Sequence, residues 1–114
     1  MKLLRALLLG SLAACASVVP KEERAEMFRL DVKPVAGTNG AQLEVSGRSL
    51  QSALVVDHVD VTTQGDTMMV HVYVALASSL HDGTGDFSRT ITVPPEVRRV
   101  AFGEEQTVIW ERGP

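Results

Sequence analysis

His58 and His71 are the side chains best placed to do chemistry in this chain. If residues 53–63 and 66–77 form a hairpin around Gln64-Gly65, with Thr63 opposite Asp66, then His58 faces His71 across the ladder. Asp60 and Met69 stand beside them. Directly opposed residues lie about 5 Å apart at Cβ, close enough for two imidazoles to share an ion. Two imidazoles with a carboxylate make a zinc donor set; two imidazoles with a thioether suit copper. The four residues lack the tight ligand spacing of known metal signatures. The plainer reading is a half-solvated sheet face carrying polar cross-strand pairs. No cofactor is therefore required, and zinc or copper at this pair is the alternative.

Other chemistry is thinner. The segment 81–86, "HDGTGD", sets His81, Asp82 and Asp86 among glycines, with oxygen donors of the kind calcium takes. It has neither the repeated acidic positions nor the closing glutamate of a calcium-binding EF-hand loop, so it reads as a hairpin loop. Catalysis needs a nucleophile beside a base, a pair of carboxylates in different environments, or a metal with an open position. There is no G-x-S-x-G elbow and no His-Glu-x-x-His pair. The expectation is that the chain is not an enzyme.

The elements that must position these residues are strands. Alternation runs through 27–32 and 42–47, and β-branched residues crowd 53–63 and 66–77. Further strands read at 87–93, 97–102 and 107–112, separated by Asn39-Gly40, Pro94-Pro95 and Gly103-Glu104-Glu105. Residues 47–55 could hold one helical turn. Short strands with a turn every 8 to 12 residues predict an all-β fold, a small antiparallel two-sheet sandwich, Ig-like in the broad sense. A small β-barrel is the alternative.

In the assumed register Val59 faces Val70, Val61 faces Met68 and Val55 faces Val74, and with Val72 and Leu76 on the same face they form a core layer. Asp57 is its one misfit, opposite Val72. A slip of one residue would turn one strand's apolar side outward, and the valines argue against it. Trp110 reads as core, and one of Met68 and Met69 must be core because neighbours on a strand face opposite ways.

The chain opens with Lys2 and Arg5, then a charge-free run from Ala6 to Ala14. That is the basic and apolar pattern of a secretory signal, too short for the roughly 20 residues a spanning helix needs. Leu12-Ala13-Ala14-Cys15 follows, and Cys15 is the single cysteine. This tetrad resembles the lipobox of bacterial lipoproteins. The resemblance implies that the signal 1–14 is removed, that Cys15 carries a diacylglycerol, and that the protein is held at a membrane. Two or more acyl chains give stable residence where one gives only marginal binding. Ala16, where an aspartate tends to retain such proteins in the inner membrane, implies the outer membrane. Residues 15–25 then read as lipidated cysteine and tether, and 26–114 as the domain.

Without residues 1–14 the chain keeps 9 of its 11 basic residues and all 14 acidic ones, a formal charge of −5. An acidic chain with no basic stripe is a poor ligand for nucleic acid, whose binding rests on Lys and Arg. With no second cysteine, the core alone must hold the fold. The function expected is a membrane-anchored interaction or accessory module with an envelope or secreted protein as partner. Loop geometry places its contacts in 81–86 and in the terminal hairpin 101–112, with Asp82, Asp86, Glu104 and Glu105 the exposed candidates.

Overall fold

The alternation of apolar and polar residues becomes two stacked sheets in the computed structural model, which describes residues 19–78 and 83–113. Its strands are β1 (Lys21–Glu22), β2 (Phe28–Pro34), β3 (Gln42–Ser49), β4 (Leu54–Gln64), β5 (Thr67–Leu76), β6 (Asp86–Thr92), β7 (Arg99–Phe102) and β8 (Thr107–Glu111). A short 3-10 turn, Ala25–Met27, joins β1 to β2. One sheet is β2-β3-β6; the other is built around β5, which pairs with β4, β1 and β7, and β8 lies beyond β7. The two sheets stay separate, so the fold is a small β-sandwich and not a closed barrel.

Three local expectations change. The pairing is not antiparallel throughout, because β7 runs parallel to β5. Such a pair needs a crossover, and the chain between β5 and β7 supplies it by passing through β6 in the other sheet. Part of the stretch expected as a tether, 15–25, belongs to the sheet, since Lys21 and Glu22 pair with Val74 and Tyr73 of β5. Residues 47–55 form no helical turn; β3 continues to Ser49, and a hydrogen-bonded turn, Leu54 N–H to Gln51 O at 3.2 Å, leads into β4.

Inside, the two sheets interdigitate. Leu43, Val45 and Ile91 from one meet Val70, Val72, Val100 and Phe102 from the other. Phe28, Phe87 and Phe102 form an aromatic trio across the gap, with Phe28 edge-on to Phe87 at 5.4 Å and to Phe102 at 5.7 Å. Met68 joins this core, while Met69 is buried outside it on the opposite face of β5. Trp110 packs partly buried against the core, with the Arg112 guanidinium 5.5 Å above its ring. Arg112 also donates to Val97 O and Pro94 O, both at 3.0 Å, tying the loop before β7 to the chain after β8. On another side, Arg89 of β6 donates to Val59 O of β4 at 3.0 Å and links the sheets.

Candidate functional site

The β4–β5 register decides what stands beside what. Gln64 pairs with Thr67, so the two-residue loop is Gly65-Asp66 and not Gln64-Gly65. The reason is local. Gly65 has φ +59° while Asp66 does not have positive φ, the pattern of a turn whose first central residue must be left-handed. In the expected register Gln64 would have held that position. The pairing is therefore displaced by two residues: Val61 faces Val70, Val59 faces Val72, Asp60 faces His71 and His58 faces Tyr73. A displacement of two keeps every side chain from Val59 to Val61 on its expected face. Nearer the start of β4 a bulge at Asp57 intervenes; Val56 meets Val74 and Val55 meets Ala75, so Val56 and not Val55 packs against the core, and Leu76, expected in that layer, is exposed. The bulge removes Asp57 from the core layer, where it had no physical place.

On the outer face of this sheet, successive strands lay side chains in rows. One row runs Thr62, Met69, Ala101, Val108. Two residues further along β5, Asp60 stands beside His71, and beyond them His58, Tyr73 and Glu22 line up. His58 stacks on Tyr73, with ring centroids 4.4 Å apart and planes 13° from parallel, and its Nδ1 bonds the Asp57 carboxylate. Asp60 lies 3.7 Å from its Nε2.

His71 has different company. Its Nδ1 lies 2.7 Å from Glu22 Oε2 and its Nε2 3.1 Å from Thr62 Oγ1. The Glu22 side chain is only 9% exposed and that of His71 17%, which makes this bond the polar pin holding β1 to β5. Gly103 completes the packing. It has φ +74°, and a β-carbon there would come 3.2 Å from Glu23 O and 4.0 Å from Glu22 Oε2. Only glycine lets the β7–β8 turn close over the end of β1.

The expected His58–His71 metal pair is accordingly corrected. The two rings are diagonal neighbours, His58 opposite Tyr73 and His71 opposite Asp60. Met69 is buried opposite Thr62. To share an ion, His71 would have to give up Glu22 or Thr62, and His58 its stack on Tyr73. Among the described residues no group of three or more His, Cys, Asp or Glu side chains is placed to hold a metal. The series Thr62, His71, Glu22 has the order hydroxyl, imidazole, carboxylate found in acyl-transfer triads. Its hydroxyl projects from the middle of a strand.

The acidic candidates scatter. Asp86 begins β6 and pairs with Arg48 at 2.9 Å. Glu105 lies in the β7–β8 turn, 3.6 Å from Arg24, at the rim of a shallow groove floored by Ala25, Leu30 and Ile109. Glu104 sits in the same turn and acts on Tyr73. Cys15, His81 and Asp82 lie outside the described residues. The terminal hairpin 101–112 is less of a free surface than expected, because Ala101 and Phe102 are buried and only the turn and β8 reach solvent.

Glu22 is the residue that sequence reasoning missed. It sits in the charged stretch Lys21-Glu22-Glu23-Arg24, which reads as solvated, and a two-residue strand leaves no alternation to detect. Its effect is measurable at Tyr73. Partial burial, then the charges of Glu22, Asp60 and Glu104, and a hydrogen bond with Glu22 push the phenol above its ordinary value. Tyr73 is the single tyrosine, so ultraviolet absorbance follows it alone. The phenolate titration is expected to have its midpoint above about 10, the unperturbed value, and Glu22→Gln is expected to lower it. A raised acid favours the fold while protonated. Its contribution is complete below the unfolded value and is lost as pH rises through the folded one. A midpoint at or below about 10 would show that Tyr73 does not sit among these carboxylates.

No family model, curated protein or solved structure matches the chain.

Proposed function

We propose that this protein is a bacterial lipoprotein, anchored through Cys15 in the outer membrane, whose β-sandwich acts as a protein-interaction module in the cell envelope. The anchoring half rests on the basic start, the short apolar run and Leu12-Ala13-Ala14-Cys15. The interaction half rests on one observation, the His58–Tyr73 stack on the outer face of the β5 sheet. A half-buried tyrosine whose ring is already held by its neighbour loses little freedom on binding. Such aromatic residues are favoured anchors of interfaces. Asp57, Asp60 and Glu104 border the stack, so the partner surface it fits is basic.

The test is a photoreactive residue in place of His58, activated in intact cells. One adduct of discrete mass is expected, at near-equal amounts of the two proteins. The same probe at Glu44, exposed on the other sheet, is expected to give none. Tyr73→Ala should weaken the isolated complex by about tenfold or more, the size of an interface anchor. Protein found in the membrane fraction with no adduct at His58 would remove the interaction reading.

A further inference from the structure

Among the described residues, four large apolar side chains are strongly exposed: Val19 at 57%, Leu50 at 58%, Leu76 at 65% and Val108 at 46%. The first three share one end of the sandwich. Leu76 closes β5 and pairs with Leu54 at the start of β4. Val19 precedes Lys21 by two residues, and Lys21 pairs with Val74, two residues before Leu76, so the chain enters the sheet at the Leu76 end. Leu50 follows Ser49, whose N–H donates to Gly85 O at 2.8 Å. A β-carbon on Gly85 would lie 3.3 Å from Leu54 O, which brings Leu50 to the same end. Val108 stands apart, on the row of Met69 and Ala101.

We infer that this end of the sandwich, with Val19, Leu50 and Leu76 at its tip, rests against the lipid surface in which Cys15 is anchored. The inference builds on the lipoprotein reading and fixes the orientation it leaves open. Three residues separate Cys15 from Val19, four steps along the chain with a reach of at most roughly 14 Å at full extension. An acylated Cys15 sits at the membrane interface, so Val19 cannot stand far above the headgroups. The nearest part of the domain is then the end bearing Leu50 and Leu76. Apolar side chains at that depth leave water for the boundary between headgroups and acyl chains, as interfacial segments do. The exposed Lys21 beside Val19 carries the charge that anionic headgroups attract. Among the described residues of this end, the Asp86 carboxylate, which a lipid surface would repel, is paired with Arg48. In this orientation the outer face of the β5 sheet stands upright from the membrane and stays open to a partner.

Acylation occupies the only native thiol, so single cysteines at other positions can be labelled specifically. Leu50→Cys, Leu76→Cys and Val108→Cys alter exposed side chains and leave the core intact. Each variant, processed in cells and purified in its mature form, is labelled with bimane. It is then placed in vesicles of phosphatidylethanolamine and phosphatidylglycerol whose acyl chains carry bromine. Quenching by the brominated chains is expected to be several-fold stronger at positions 50 and 76 than at 108. Intact mass measured on the same samples reports whether Cys15 carries diacylglycerol. Lipid on Cys15 with equal or negligible quenching at all three positions overturns the orientation and leaves the lipoprotein reading standing. No lipid on Cys15 overturns both.

Discussion

Phe102→Ala is expected to destabilise the domain by about 3–5 kcal/mol, the range for deleting a buried aromatic side chain. Phe102 is fully buried at the end of β7, edge-on to Phe28 at 5.7 Å and 6.2 Å from Phe87. Phe28 and Phe87 belong to the opposite sheet, so this ring is a bridge between layers and not a member of one. Its removal leaves a cavity facing two aromatic rings. The rigid pairing of β5, β7 and β8 limits how far the walls can collapse into it. A domain of this size has a total stability of only about 5–15 kcal/mol, so the loss is a large fraction of the whole. At about 4–8 °C per kcal/mol, thermal unfolding should shift down by at least about 12 °C. Val108→Ala, at an exposed side chain of the same hairpin, should move it by less than about 0.5 kcal/mol. A small shift for Phe102→Ala would mean that the sheets do not meet through this trio.

The contrast between these neighbours shows which features were legible in the sequence. Strand positions were legible because period-two alternation and turn residues act locally; from β2 to β8 each strand overlaps its expected segment. The sandwich followed, since strands with one apolar side must cover it. Register was less legible. The valines of β4 and β5 fit two pairings two residues apart equally well, because a displacement of two changes no side chain's face. Only the turn separates them, through the left-handed conformation at Gly65. The metal pair His58–His71 fell with that distinction, being a statement about register and not about faces. Asp57 did signal trouble, as a carboxylate opposite Val72, and the bulge is the structural answer to that misfit. Glu22 could not be found this way. Its burial depends on β1 reaching β5 across 49 residues and on the Gly103 turn closing beside it, contacts that no local pattern encodes. The candidate site is a product of long-range pairing on the outer face, where composition constrains little.

Gly47→Val tests long-range packing of the same kind inside the fold, and is expected to cost about 3 kcal/mol, the upper part of the range for overpacking. In the sequence Gly47 reads as the end of a strand. In the structure β3 continues through it, with Leu30 of β2 as its Cα partner on one side and Phe87 of β6 on the other. A β-carbon there would come 2.6 Å from Phe87 Cε1 and 2.9 Å from Leu30 Cδ2. Leu30 ends in a flexible branch at a half-buried site and can turn aside. Phe87 cannot do so cheaply, because its ring is wedged edge-on against Phe28 at 5.4 Å in the aromatic trio. The glycine is therefore the vacancy into which two side chains from neighbouring strands have grown, not a conformational necessity, and its φ is not positive. That distinction has a consequence a strained turn would not share. Phe87→Leu removes the ring atoms nearest the new side chain, so in the Gly47→Val/Phe87→Leu double variant the two costs should sum to more than the measured loss. A coupling of about 0.5 kcal/mol or more is expected from denaturant midpoints at unchanged slope. Strict additivity would place the origin of the Gly47→Val cost in the backbone of β3 and remove Phe87 from the explanation.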